Sequence, residues 1–328
     1  MGARRFRPGT GVRFETLIVG YIGQLECPKC TSIMATYSET SFNTKHYDES
    51  RPNYPDLFYS TLMQYHSEGG TGTQLAIDIG CGSGFVAFKL TQYFDKVIGT
   101  DISQTMIDSC CNNPLAANKP IKFIRAPAEK FPSVVEEGSV DLVTGAECCH
   151  WVNHEEFFAE TARILKPNGT LAYWFYGDPV FMASDRANEI YMNYCYNSSQ
   201  EMYPGEPFER YMGPYYEQPG HDYLRILLNN VQVPSDKFHS VVRNEYRPDR
   251  DGENTGLTSL KIEKIWTLDM FRNYVKSWSA YHAWMKDHGT KYDIADAFID
   301  ELKAECGWEN NTELRLVFPT VYTFARKR

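Results

Sequence analysis

Leu75-Ala76-Ile77-Asp78-Ile79 runs straight into Gly80-Cys81-Gly82-Ser83-Gly84. A short apolar run that ends in glycines reads as a buried parallel strand feeding a tight turn. The glycines let the backbone turn sharply and approach a ligand closely. The helix expected next, Phe85 to Phe94, offers unpaired N–H groups at its start. The spacing is G-x-G-x-G, not the G-x-G-x-x-G of dinucleotide sites. Asp78 stands two residues before the first glycine, where a phosphate would be repelled. The next expected strand ends in Asp101, 23 residues after Asp78, close to the ~20-residue offset of a ribose-binding carboxylate. A cofactor with an amino-acid tail and a ribose suits this pattern. The plain alternative is an ordinary tight turn between strand and helix.

Outward from this loop, strand-like and helix-like segments alternate. Lys96 to Thr100, Ile121 to Ile124, Val140 to Thr144 and Leu171 to Tyr176 read as strands. Ser103 suits the cap of a helix through Cys110. Asn153 with Glu156 resembles a capping box, for a helix to Leu165. Lys166 to Gly169 reads as a turn. This alternation predicts an α/β fold with a doubly wound, mostly parallel, seven-stranded sheet. Beyond Gly177 the composition changes, and tyrosines crowd between Tyr191 and Tyr223. Residues 178–236 read as an aromatic-rich cap inserted beside the sheet, and residues 34–177 as the cofactor core. Residues 237–328 complete core and pocket, with a strand from Phe238 to Tyr246 and a polar loop from Asp249 to Gly256. Leu268, Phe271, Val275, Trp278, His282 and Met285 predict one amphipathic helix from 268 to 285. A helix is also expected from Asp293 to Cys306. Glu313 to Phe318 and Val321 to Arg326 suit a final strand or hairpin.

The chain has 328 residues, with 42% apolar and 23% charged, as in soluble globular proteins. Its net charge of −9 argues against nucleic acid as a partner. No apolar run approaches the ~20 residues that cross a bilayer. The nine cysteines are odd in number and scattered, so no disulfide framework is expected, and a reducing, cytoplasmic location fits. Cys27 and Cys30 form a lone pair without the four ligands of a structural zinc site, so no metal is expected. Residues 1–33, with Arg4, Arg5, Arg7 and Arg13, read as a disordered or non-native extension. Nothing demands an oligomer.

The loop with Asp78 and Asp101 resembles class I S-adenosylmethionine-dependent methyltransferases. Five further stretches narrow the resemblance. They are Tyr47 to Pro55, Ala146-Glu147-Cys148-Cys149-His150-Trp151, Tyr176-Gly177-Asp178-Pro179, Gly213 to Gly220 and Trp278 to Trp284. They look like the fungal trans-aconitate methyltransferases and their cantharidin-methylating relatives, over about residues 40–328. The resemblance implies that Gly80, Cys81, Gly82 and Gly84 pack against the methionyl and ribose part of S-adenosyl-L-methionine. Asp78 would hold the amino group and Asp101, with Ile102 beside it, the ribose hydroxyls. Ala128 and Glu129 lie where the adenine contact is expected, and Glu147 completes the cofactor set. Pro127 replaces an Asp common in relatives, which points to the Ala128 backbone N–H.

The reaction that the resemblance implies is methyl esterification of a small organic acid. A carboxylate, with a pKa of about 4, is ionised at neutral pH and needs no general base. His150 and Trp151 follow the fourth strand at the end where α/β sheets bind ligands. They are candidates for positioning the acceptor, with core packing as the alternative. Arg51 and Arg225 could clamp an anion. Tyr54, Tyr215, Tyr216, Trp278 and Tyr281 could wall the pocket. Two other readings stay open: a phenol, thiol or amine as nucleophile, and a protein that binds the cofactor without turnover.

Overall fold

A computed structural model describes residues 51–131, 133–196, 210–250, 253–256 and 258–328. The expectations for residues 1–33, for Cys27 and Cys30, and for the motif before Arg51 lie outside the described residues, as does Tyr203.

Five strands carry the loop and its neighbours: β1 (Leu75–Ile79), β2 (Lys96–Asp101), β3 (Ile121–Arg125), β4 (Val140–Ala146) and β5 (Leu165–Tyr176). They pair in the order β3-β2-β1-β4-β5, all parallel. The sheet then continues through β11 (Thr320–Lys327) to β7 (Phe238–Arg247) and the two-residue β8 (Glu253–Asn254). β11 runs antiparallel to both β5 and β7, so β7 returns to the common direction. Seven strands of ordinary length, all but one aligned, are the sheet expected from the sequence. β8 adds a short edge inside the expected polar loop.

β5 shows why the sheet is covered on both faces. Ala172, Trp174 and Tyr176 enter one core, and Leu171, Tyr173 and Phe175 the other. This is the period-two alternation of a strand, with both sides apolar. The first face takes α1 (Asp56–Glu68), α2 (Phe85–Leu90) and α3 (Gln104–Asn112) through Phe58, Leu62, Ala87, Leu90 and Ile107. Trp174 is fully buried there, with the Phe58 ring 4.9 Å away edge-on. The second face takes α4 (His154–Ile164) through Phe157, Phe158 and Ile164. Buried Asp141 ties β1 to β4. It accepts the Gln74 and Leu75 amides at 3.0 and 2.9 Å and meets the Lys166 ammonium at 2.7 Å. A buried charge persists when it is partnered in this way. Both expected caps form: the Ser103 side chain accepts from Met106 N–H, and that of Asn153 from Glu156 N–H.

Two expectations need correction. The stripe from Leu268 to Met285 is not one helix. It divides into α7 (Leu268–Val275) and α8 (Ser279–His288), with Trp278 extended at the join. The Ser277 hydroxyl donates to the Tyr274 carbonyl at 2.6 Å and ends the first helix locally. The apolar spacing survives the break because Trp278 is buried on the same side. Likewise, β10 (Glu313–Phe318) and β11 do not form a hairpin. β10 joins β6 (Val180–Phe181) and β9 (Ile262–Thr267) in a separate antiparallel sheet. Pro319 stands between them, and its carbonyl accepts Gly177 N–H. The turn expected at 166–169 lies within the span of β5, where Asn168 takes φ 61° and the pairing with β4 shifts register.

In the aromatic-rich segment, α5 (Asp185–Tyr196) packs Tyr194 flat on Phe298 of α9 (Ile294–Cys306), with centroids 4.4 Å apart. A single 3-10 turn, Gly213–Tyr215, precedes the short α6 (Gly220–Arg225). No helix among the described residues is long and apolar enough to cross a membrane.

Candidate cofactor and acceptor site

The loop after β1 is built by its backbone. Gly80 and Gly82 take φ of 54° and 52°, a region that side chains with a Cβ rarely enter. At Gly80 a Cβ would also come 2.5 Å from the Cys148 Cβ, so β4's outgoing chain lies directly beneath. At Gly82 a Cβ would meet nothing within 4 Å. The loop is therefore packed on one side and open on the other. Gly84 caps the N-terminus of α2 in the left-handed conformation.

Asp101 ends β2 and is 4% exposed. One carboxylate oxygen accepts Gly82 N–H at 2.9 Å and the other accepts Ser103 N–H at 2.8 Å. Burial pushes its pKa up, against the pull of these amides. Asp78 lies deeper, at 1% exposure. Its Oδ1 accepts the Thr144 hydroxyl at 2.7 Å. Its Oδ2 is buried with no hydrogen-bond partner among the described residues. Burial pushes this carboxyl up to about 7, opposed by the Thr144 hydroxyl and the Ala87 amide. A buried acceptor left unpartnered is costly, and a bound ammonium would remove that cost. Thr144 was not anticipated from the sequence. Its register opposite Asp78 in the parallel β1–β4 pair is what brings the two together.

The other residues expected to hold the cofactor have these surroundings. Cys81 is buried, with its N–H on the Thr100 carbonyl. The Ile102 carbonyl accepts from Arg125 Nε at 2.9 Å. Ala128 packs on the second core, and Glu129 accepts Asn153 N–H at 2.8 Å through its carboxylate. Glu147 takes φ 53°, and its carboxylate accepts Tyr176 N–H. Burial lifts Glu147 to about 8, with Arg51 pulling the other way.

His150 and Trp151 stand at the end of β4, as expected. His150 is 7% exposed, and its Nδ1 is buried without a partner among the described residues. Burial lowers its pKa to about 3, and Arg51 and His154 add to the shift. Trp151 is half-buried beside it, centroids 4.8 Å apart, and fills the space against Gly220. Arg51 donates to the Ser277 carbonyl at 3.2 Å, with its guanidinium 5.4 Å from the Tyr274 ring centroid. Tyr54 meets Trp174 and Phe85 edge-on.

Tyr216 lies flat on His221, with centroids 3.7 Å apart, and Tyr196 covers the other side of that ring at 4.7 Å. Arg225, expected as an anion clamp, is exposed and lays its guanidinium 4.0 Å above the Tyr196 ring. Tyr215 donates to Asp287 at 2.8 Å. Trp278 is packed between Tyr274 and Tyr191. Tyr281 donates to Asp293 at 3.0 Å, an N-cap that it shares with Lys276. These bonds hold Tyr215 and Tyr281 to helix surfaces rather than to the loop. His221 was missed in the sequence, although it directly follows the Gly213 to Gly220 stretch. Among the described residues there is no cluster of three groups fit to hold a metal.

Residues 77–173 match the model of a methyltransferase domain family. The chain is 35% identical over 305 residues to a probable S-adenosylmethionine-dependent methyltransferase of Saccharomyces cerevisiae, CRG1. That match covers 89% of this chain and 98% of the yeast protein. It is 30% identical to a candidate methyltransferase of Dictyostelium discoideum, over 87% of this chain and 93% of that one. A solved structure, a candidate type II methyltransferase from Anaeromyxobacter dehalogenans, superposes with TM-score 0.57 at 22% identity. It covers 84% of this chain and 97% of its own, and that likeness concerns the fold.

Proposed function

The chain belongs to the S-adenosylmethionine-dependent methyltransferases, and from that premise we propose that it transfers the methyl group to a carboxylate of a small organic acid, giving a methyl ester. The observation that carries this reading is that, among the described residues, His150, Glu147 and Asp101 are each poorly set to act as a base. His150 is held neutral, with a pKa near 3. Glu147, lifted to about 8, is mostly protonated at neutral pH and already accepts a backbone N–H. Asp101 spends both oxygens on amides. A phenol, thiol or amine often needs a base to lose its proton. A carboxylate arrives ionised.

S-adenosylmethionine supplies an activated methyl group on a sulfonium, with a neutral thioether as leaving group. The residues of this chain bind and orient. In this reading the Asp78 Oδ2 receives the methionyl ammonium. Asp101 stiffens the Gly82 turn and offers its remaining lone pairs to the ribose, beside Ile102. Gly80, Cys81 and Gly84 shape the cradle, with Ala128, Glu129 and Glu147 around it. Trp151 and the tyrosine-rich segment exclude water. That favours a step in which opposite charges disappear. Arg51 and Arg225 raise the local positive potential for an anion.

In the same reading, residues 34–177 are the cofactor core, 178–236 the acceptor cap and 237–328 the completing part. The described cysteines are all free thiols, which suits a cytoplasmic enzyme. The test is the product. A methyl ester is cleaved by mild base, and a methyl ether, thioether or amine is not.

A further inference from the structure

Both polar backbone atoms of Gly82 are held. Its amide donates to the Asp101 carboxylate. Its carbonyl accepts the Cys110 thiol of α3 at 3.1 Å, and the Cys81 sulfur stands 3.8 Å from the same oxygen. The Cys110 thiol is also within hydrogen-bonding reach of the Cys81 sulfur. Cys81 is 7% exposed and Cys110 is fully buried. Two glycines leave the sulfurs their space. A Cβ on Gly99 would lie 3.1 Å from the Cys81 sulfur, and one on Gly84 would lie 3.1 Å from the Cys110 sulfur. The Phe123 ring stands beside both positions, at 2.6 and 3.2 Å. A pair of thiols from two different elements thus sits in an apolar niche next to Gly82.

What such a pair can do follows from its surroundings. The Cys110 thiol, and then burial, push the Cys81 thiol well above its ordinary range, and Asp101 and Asp78 add to the push. Cys81 therefore stays protonated at neutral pH. Peroxide oxidation starts from a thiolate, so it is disfavoured here. Thiol sulfur selects soft centres. A soft monovalent ion, however, would leave the bridged pair with a net negative charge beside two acidic side chains. A centre that condenses with two neutral thiols and stays neutral avoids both costs. Trivalent arsenic is such a centre. Its pyramidal bonds lie near right angles, which suits sulfurs already in reach of each other. A two-coordinate linear ion needs them on opposite sides of it.

We propose that Cys81 and Cys110 form a dithiol site for arsenous acid, and that its occupation inhibits S-adenosylmethionine binding. Two S–H bonds and two arsenic–oxygen bonds break, and two arsenic–sulfur bonds form. The two protons leave with the two hydroxyls as water, and the third hydroxyl stays on arsenic. Arsenic remains trivalent, no electrons are exchanged and no charge is created. The Cys110 S–H is consumed, so the Gly82 carbonyl loses its donor. Cys81 becomes tied to α3, which fixes the loop at the residue whose amide Asp101 holds. Cys148 and Cys149 are also within hydrogen-bonding reach of each other. Closing that pair joins neighbours in the chain and leaves the Gly82 carbonyl as it is. None of this depends on the acceptor.

The test is calorimetric titration of the full-length enzyme with S-adenosylmethionine, with and without sodium arsenite. Cys27 and Cys30 are a second dithiol in the sequence, so every protein compared also carries Cys27→Ala and Cys30→Ala. The expected result is a cofactor affinity more than about tenfold lower with arsenite, recovered on adding dithiothreitol. Saturating cofactor is expected to weaken arsenite binding in return, because coupling between sites is reciprocal. Cys110→Ala is expected to bind the cofactor equally with and without arsenite, and Cys149→Ala to lose affinity as the parent does. Arsenite without effect on the parent overturns the proposal. So does an equal loss in Cys110→Ala, or a loss abolished in Cys149→Ala alone, which moves the site to the neighbouring pair. If Cys110→Ala does not fold, Cys110→Ser, whose hydroxyl keeps a donor for Gly82, takes its place. Arsenite binding that is indifferent to saturating cofactor overturns the proposal on the parent alone.

Discussion

The Asp101 carboxylate accepts the Gly82 amide at 2.9 Å, which ties the end of β2 to the open side of the glycine loop. Its second oxygen takes the Ser103 amide at the start of α3. One side chain thus ties together the end of β2, the glycine loop and the start of α3. Asp101→Ala leaves two amides short of an acceptor. Hydrogen bonds to charged groups are worth about 1.5–3 kcal/mol each. S-adenosylmethionine affinity is expected to fall at least tenfold, with a lower melting temperature. Calorimetric titration of the purified variant checks this, and unchanged affinity would remove Asp101 from the site.

Gly220→Ala should damage the pocket without touching the loop. The new methyl would overlap the Trp151 ring, with distances of 2.2 to 2.6 Å to three ring carbons. Overpacking of this kind costs about 1–3 kcal/mol where the neighbour can shift. Turnover is expected to drop more than cofactor affinity. Pairing the change with Trp151→Leu should restore part of the lost stability, a non-additive result expected of residues in contact. Additive losses in a thermal-melt cycle would show that the two do not compete for space.

If Asp78 receives the cofactor's ammonium as proposed, cofactor binding should depend on pH. Its folded pKa, about 7, lies well above the ordinary carboxylate range because burial disfavours the charged form. The sign follows from linkage. Its contribution to apo-protein stability is complete below about pH 4 and is lost as pH rises through 7. Binding a cationic amino group needs the ionised carboxylate. Cofactor affinity should therefore rise from pH 5.5 to about 7.5 and then level off, with proton release below 7. Asp101 faces Asp78 and Glu147 also titrates high, so Asp78→Asn is the control. It should flatten that part of the profile and weaken binding throughout. A parent profile identical to that of Asp78→Asn would contradict the assignment.

The sheet was legible because its signals are local. Leu75 to Gly84 shows strand, turn and helix start within ten residues, and Ser103 and Asn153 cap the helices that they precede. The carboxylates at 78 and 101 could be paired by spacing alone. What the sequence hid depends on distant partners. The apolar stripe from Leu268 to Met285 continues through the break at Ser277, so periodicity carries no mark of it. β10 and β11 alternate alike, and only their partners assign them to different sheets. Tyr281 is equally at home in a pocket or on an N-cap until Asp293 is placed beside it. His221 became visible only when Tyr216 and Tyr196 closed on its faces.

His150 should be dispensable as a base. With its pKa near 3, it stays neutral across the working range. The pH dependence of kcat from 6 to 9 is expected to keep its shape in His150→Phe, even where the rate falls through lost positioning. Loss of an ionisation near neutrality in that variant would mean that His150 moves a proton, and would favour a phenol, thiol or amine as acceptor.

The most direct measurement is the fate of a labelled methyl group. The purified enzyme is incubated with methyl-labelled S-adenosylmethionine and a panel of di- and tricarboxylic acids, a monoacid and a phenol. The product is then treated with mild base. The expected result is label on one of the acids that base releases as methanol. Label that survives base, on the phenol or any other acceptor, would contradict the carboxylate assignment.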